Sequence, residues 1–332
     1  MIDAAGDKSV TGIHKADAPL ESGEGVSGFA IVGTGRDPME AKQAMTSNLV
    51  WQIGDLRITR IQESEEVGID WVLKEATPSR LLGLPWLAPH FMNEKGEGLW
   101  SIHALVVETP NRRILVDTCV GNDKNLAIPF WNQLKGSFLT DLEAAGFPPA
   151  TIDTVLCTHL HVDHVGWNTR LVEGKWQPTF PNARYLFARE EWAHWKVQED
   201  DFSKSVLSES VQPIWDAGLV DLVDSDHHVC DEVWLEPSPG HTPGHVSIRL
   251  ASGGQQAVIT GDMIHHPCQF AKPEWGSPAD VDFDQGIETR RDFFERNAAQ
   301  PILVIGTHFA TPTAGQVVRD GKSYRFDVER DD

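Results

Sequence analysis

Residues 158–167 read "THLHVDHVGW", three histidines and an aspartate within six positions, directly after the apolar run "TVLC" at 154–157. In an extended segment, side chains two apart point the same way, so His159 and His161 can grip one ion. Asp163 and His164 are adjacent, and both can face a site only if the chain turns there, as it does on entering a helix. The same ten residues can then serve two ions. Imidazole and carboxylate are ligands that zinc, manganese, iron and cobalt all accept. The plain alternative, a solvated loop with chance histidines, leaves the later clusters unexplained.

Those clusters share one placement. "DTVLCT" runs into "HLHVDH", "DEVWLEP" into "SPGHTPGH", "QAVIT" into "GDMIHH" and "PILVI" into "GTHF". Each follows a short apolar strand, so strands sharing one core would bring the side chains together along one edge. They contribute His241 and His245, then Asp262 with His265 or His266, then His308. A lone histidine after a strand is more often structural than a ligand, and it is the joint occurrence in this order that carries weight.

Around these motifs the chain has 332 residues, 40% of them hydrophobic, enough for a substantial core. Residues 1–46 show no sustained period and only one short apolar patch, "GFAIVG", and read as an extension or arm. From "LVWQIGDLRITRIQE" onward, β-branched alternating segments mix with helical periodicity in "GSFLTDLEAAGF", "AREEWAHWKVQ", "SVLSESVQPIWDAG" and "QGIETRRDFFERNAA". The catalytic domain is therefore expected over residues 47–332. A formal charge of −21 gives no footprint for nucleic acid or anionic lipid. No apolar run reaches membrane-spanning length, the N-terminus lacks a secretory pattern, and the four scattered cysteines read as reduced thiols; the expectation is a cytoplasmic protein.

"THLHVDH", "GHTPGH", "GD" and "GTH" in this order resemble the metallo-β-lactamase superfamily over roughly residues 47–332. The resemblance implies an α+β fold, the αββα sandwich of two mixed sheets packed face to face with helices outside. It assigns His159, His161 and His245 to one metal ion and Asp163, His164 and His308 to a second, with Asp262 bridging. Two divalent ions follow, zinc foremost, with manganese, cobalt or iron accepted by the same ligands. Asp117 in "LVDTC" matches the family aspartate that orients a ligand histidine from behind, and His241 is expected to support the site or its turn rather than bind metal.

The implied reaction is hydrolysis by a metal-bridging hydroxide, with Asp163 passing a proton to the leaving alkoxide. His265 stands where related lactone hydrolases carry a tyrosine that contacts the substrate carbonyl; it reads equally as a structural histidine beside an exposed His266. Asp262 departs from true β-lactamases, His161 from the flavodiiron branch, the acidic charge from the nucleases, and the short helical tail from glyoxalase II. What remains is similar to N-acyl homoserine lactonases and methyl parathion hydrolase, the latter also through "GTHFATPTAGQVVRDGKSYRF".

A small neutral ester or lactone is the expected substrate, with a phosphotriester as the alternative on the same site. A persulfide dioxygenase-like oxidoreductase using one iron is the alternative of another class, and metal counting separates it. A non-catalytic binding protein would show decayed ligands, and all seven are intact. Trp86, Phe91, Phe130, Trp131 and Trp167 are placed to wall an apolar pocket, or else serve as core or dimer contacts. The segment "RLLGLPWLAPHFMNEKGEGLW", 80–100, reads as a substrate lid or a homodimerisation arm.

Overall fold

The computed structural model describes residues 48–298 and 300–328; the extension expected over 1–46 lies outside them. Strands β1 (Val50–Ile53), β2 (Leu56–Val67), β3 (Leu99–Glu108), β4 (Arg113–Val116) and β5 (Thr154–Leu156) begin the first sheet. A separate hairpin of β6 (Thr169–Val172) and β7 (Lys175–Pro178) follows, and β8 (Arg184–Ala188) and β9 (Val220–Val223) complete that sheet. The second sheet runs in chain order through β10 (His228–Cys230), β11 (Val233–Pro237), β12 (Val246–Ser252), β13 (Gln255–Ile259), β14 (Ile302–Ile305), β15 (Ala314–Asp320) and β16 (Ser323–Asp327). Both sheets are mixed: β4, β5, β8 and β9 pair in parallel, as do β13 and β14, and the remaining pairs are antiparallel.

Alternation along the strands explains the layers. Ile114, Val116, Leu156 and Leu186 meet Val233, Ile248, Ala257 and Ile259 in one apolar cluster between the sheets. Their neighbours Leu115, Val155, Tyr185 and Val258 point the opposite way, into a second cluster shared with helical residues such as Phe138, Ile214, Phe293 and Phe294. Two seven-stranded mixed sheets thus face each other with helices outside, the αββα arrangement. The expected helices fall at Phe138–Ala144, Arg189–Trp195, a run from Asp201 to Asp216 interrupted by a π-helical stretch, and Phe283–Asn297. Among the described residues no helix is long and apolar enough to cross a membrane.

Residues 80–100 are anchored to the main core. Leu81, Leu87, Phe91 and Met92 are buried in the main core, and Phe91 packs against Phe309 and Phe326. An apolar run with short helical turns anchors itself instead of extending.

One close approach fixes the edge where the motifs gather. A Cβ on Gly166 would lie 1.8 Å from the Val120 carbonyl oxygen, so the turn after "HVDHV" and the loop after β4 touch backbone to backbone. Gly166→Ala is expected to lower stability by at least ~1–3 kcal/mol, the scale of overpacking in a closed core, read as a drop in Tm.

Candidate metal centre

β5, β11, β13 and β14 end at the same edge, and the loops that leave them bring four clusters together. His159, His161 and His241 offer ligand atoms within 4.8 Å of one another; so do His159, His164 and Asp262, and so do Asp163, His164 and His308. Six of the seven expected ligands meet here, and His241 takes the place of the seventh.

The exchange within "PGHTPGH" corrects the sequence expectation. His241 turns its Nε2 to within 2.8 Å of His161 Nδ1. His245 has no free nitrogen: its Nε2 accepts the Asp262 backbone N–H at 2.8 Å, and its Nδ1 lies 3.0 Å from the Ser238 carbonyl oxygen and 2.8 Å from Ser238 Oγ. Burial, with His241 nearby, pushes the His245 ring down to about 3, so it stays neutral. Gly261, at φ +56°, makes this possible, because a Cβ there would lie 2.5 Å from His245 Nε2. His245 therefore holds Asp262 in place, and His241 faces the cluster.

The protein also decides which nitrogen each ring presents. Nδ1 of His241 donates to Asp280 at 2.8 Å, Nδ1 of His308 donates to the Ser101 carbonyl at 3.0 Å, and Nδ1 of His164 lies 2.9 Å from Asp117 Oδ2. Thr158 Oγ1, whose proton goes to Asp117, accepts from His159 Nδ1 at 3.0 Å. Four rings are left with bare Nε2 atoms aimed inward, and His161 alone presents Nδ1.

The carboxylate of Asp262 sits between the two groups. Its Oδ1 is 3.0 Å from His308 Nε2 and 3.3 Å from His164 Nε2; its Oδ2 is 3.3 Å from His265, 3.5 Å from His241 and 3.9 Å from His159. Asp163 approaches His308 at 3.5 Å and His164 at 3.7 Å.

This donor set fits metal ions. His164 Nε2 and His308 Nε2 are 3.2 Å apart, both acceptors in the neutral rings, and both face an Asp262 Oδ1 that is buried without a hydrogen bond. Nitrogens this close repel as bare acceptors and are reconciled by a positive charge between them, which a divalent ion supplies. Electrostatics says the same: burial opposes charge on His164, yet Asp262, Asp117 and Asp163 hold its pKa well above the usual histidine value. His308 is raised in the same way, burial being outweighed by Asp262. His159 and His161 go well below, burial and the neighbouring histidines both disfavouring their charged forms, and they remain ready ligands.

A cavity of about 500 Å³ opens on this centre. Trp71, Trp100 and Trp131, in contact with one another, line it together with Ile128, Val162, Trp195, Phe202 and Val281. Asp163, Asp262, His265 and His308 reach its floor, and among the described residues no lysine or arginine lines it. Of the five aromatics expected there, only Trp131 lines it. Trp86 packs against the main core, and Phe91 is in that core. Trp167 is buried, stacked 5.8 Å from Phe138, with its indole N–H given to Glu63; Phe130 is half exposed and leans on Trp71 and Trp131.

His265 lies at the floor with Nδ1 buried and unpaired, whereas His266 is not exposed as expected: its Nε2 is 2.8 Å from the Phe91 carbonyl and burial lowers it to about 4. Sequence reasoning missed Trp71, Trp100, Trp195 and Asp280, which stand in ordinary element contexts. Only Trp195 left a trace, one helical turn after Glu191 in "EEWAHW".

Residues 98–308 match the family described as the Metallo-beta-lactamase superfamily. An N-acyl homoserine lactonase of Bacillus cereus is 25% identical over 198 residues, 55% of this chain and 65% of that protein. A probable metallo-hydrolase of Mycobacterium tuberculosis is 26% identical over 188 residues, 49% of this chain and 57% of that protein. The chain thus spans less than two thirds of the length of these curated relatives. The crystal structure of the hydrolase AbOPH superimposes with a TM-score of 0.70 at 26% identity, covering 86% of this chain and 98% of that one. AidC, a dizinc quorum-quenching lactonase solved with a product, superimposes with a TM-score of 0.70 at 20% identity, covering 86% of this chain and 99% of that one, a likeness of fold alone. The matched span runs from before Trp100, which edges His308, to His308 itself and takes in every converging ligand cluster, and the chain belongs to the metallo-beta-lactamase superfamily.

Proposed function

We propose that the chain is a two-metal hydrolase of neutral esters, with a lactone or aryl ester as substrate. The observation that carries this reading is the Asp262 carboxylate, buried between two groups of inward-facing ligand atoms at the floor of an apolar cavity. His159, His161 and His241 would hold one ion, Asp163, His164 and His308 the other, and Asp262 both. Divalent ions there would supply a water acidified to a pKa of about 7 and polarisation of a substrate oxygen. Zinc suits this ligand set, and manganese, cobalt and iron share its preferences.

The chain's own groups do the rest. Asp163 borders the cavity with its side chain 12% exposed, within reach of a leaving alkoxide that needs a proton. His265 keeps Nε2 near Asp262 and has Nδ1 unpaired, suited to hydrogen-bond a substrate oxygen at the floor. The tryptophan walls exclude water and, without cationic partners, favour an uncharged substrate with an apolar group. Relatives named N-acyl homoserine lactonase support a lactone. A neutral phosphotriester meets the same apolar lining without lysine or arginine and is the second reading.

The test joins metal analysis to hydrolysis assays over acyl homoserine lactones, aryl esters and phosphotriesters. Two ions per chain with turnover of at least one class is expected; one redox-active iron with dioxygen uptake on a persulfide would overturn the reading. Trp71, 44% exposed and in edge contact with Phe130 and Trp131, should govern fit. Trp71→Ala is expected to raise KM about tenfold for bulky apolar substrates with kcat nearly unchanged, the pattern of lost uniform binding.

A further inference from the structure

Two carboxylates stand behind the centre without touching the cavity. Glu63 belongs to β2 at the point where its pairing with β3 slips by one residue between Gln62 and Ser64. The bulge turns its side chain inward. Its Oε2 accepts Val120 N–H at 2.8 Å, and its Oε1 accepts Gly121 N–H at 3.1 Å and the Trp167 indole N–H at 2.6 Å. Val120 and Gly121 follow Asp117, which orients His164, and Trp167 ends the turn that carries Asp163 and His164.

Glu191 repeats the arrangement on the other side. Its Oε1 accepts Leu160 N–H at 3.0 Å and the Trp195 indole N–H at 2.6 Å, and its Oε2 accepts Gly244 N–H at 3.1 Å. Leu160 sits between His159 and His161, Gly244 lies in the turn that carries His241, and the Trp195 ring is 5.1 Å from that of His161. Each carboxylate thus takes two backbone donors and one indole from segments that set one group of ligands. A glycine lets the chains meet beside each: Gly166 against Val120, and Gly244, where a Cβ would lie 2.1 Å from Glu191 N. Among the described residues neither glutamate forms an ion pair, so what both supply is acceptor capacity.

We propose that Glu63 and Glu191 are positioning residues with divided duties, Glu63 setting the affinity of the ion held by Asp163, His164 and His308, and Glu191 that of the ion held by His159, His161 and His241. The proposal rests on the two-ion reading above. Isosteric glutamine tests it, because an amide NH₂ would face an N–H where an acceptor is needed, and loss of a supporting partner typically weakens metal affinity ~10–100-fold.

Zinc or cobalt is titrated against a chromophoric chelator in the wild type, Glu63→Gln and Glu191→Gln, with His308→Ala and His161→Ala identifying which step belongs to which ion. Glu63→Gln should weaken the His308 step and leave the His161 step within about twofold, with Glu191→Gln the reverse. Weakening of both steps equally by either variant, with circular dichroism unchanged, would overturn the proposal. If the glutamine variants do not fold, Trp167→Phe and Trp195→Phe each remove one donor from one carboxylate and should show the same selectivity on a smaller scale; equal weakening again overturns it. A wild type with one binding step would instead strike at the two-ion reading itself.

Discussion

Asp262→Ala should lower ester or lactone hydrolysis by at least about 10³-fold, the scale of losing a principal stabiliser of transition-state charge, and should reduce the metal bound per chain. The expectation follows from position. Asp262 turns its two oxygens to the two ligand groups, Oδ1 toward His164 and His308, and Oδ2 toward His159, His241 and His265. Burial works against its charge, yet His164 and His308 hold its carboxyl well below the usual range, so an anion stands there at neutral pH. Alanine removes the negative charge that offsets part of two divalent ions and leaves several histidine nitrogens facing one another across a gap. Unchanged kcat/KM with two ions still bound would remove Asp262 from the mechanism. A Tm close to that of the wild type, measured alongside, separates chemistry from unfolding, since the Asp262 backbone N–H still reaches His245 in the variant.

Much of this centre was legible from the residues because its information is local. The order of ligands after strands fixes which edge they share once the strands lie side by side in the sheets, and the unbroken apolar runs in "RRILVDT" and "QAVIT" report burial on both faces. What stayed hidden depends on how distant chains meet. Glu63 sits in a stretch that alternates like any strand, and only the register slip against β3 turns it inward. Asp280 gains its role because the chain just before the last long helix passes behind His241. The pocket tryptophans were misplaced for a similar reason: Trp167 lies next to the metal motif in sequence but stacks on Phe138 with its N–H spent on Glu63, whereas Trp71 and Trp100 arrive from the ends of β2 and β3. Proximity in sequence to a ligand does not place a side chain in the cavity that the ligand faces.

The two histidines of "PGHTPGH" offer the sharpest case, since residue type cannot distinguish them and backbone path does. Gly240, at φ +128°, packs where a Cβ would lie 2.3 Å from Gly286 N, so the turn is pressed against the N-terminal end of the helix Phe283–Asn297. That contact carries His241 inward to Asp280 and His161, and leaves His245 at the start of β12 with both nitrogens engaged. His241→Ala is therefore expected to bind one ion fewer than the wild type and to lose activity about 10²–10³-fold. His245→Ala should keep both ions, with activity lowered ~10–100-fold because Asp262 loses the ring that receives its backbone N–H. Metal analysis of the two purified variants decides it. An ion lost from His245→Ala and retained by His241→Ala would restore the assignment read from sequence and would mean that the turn at Gly240 follows another path.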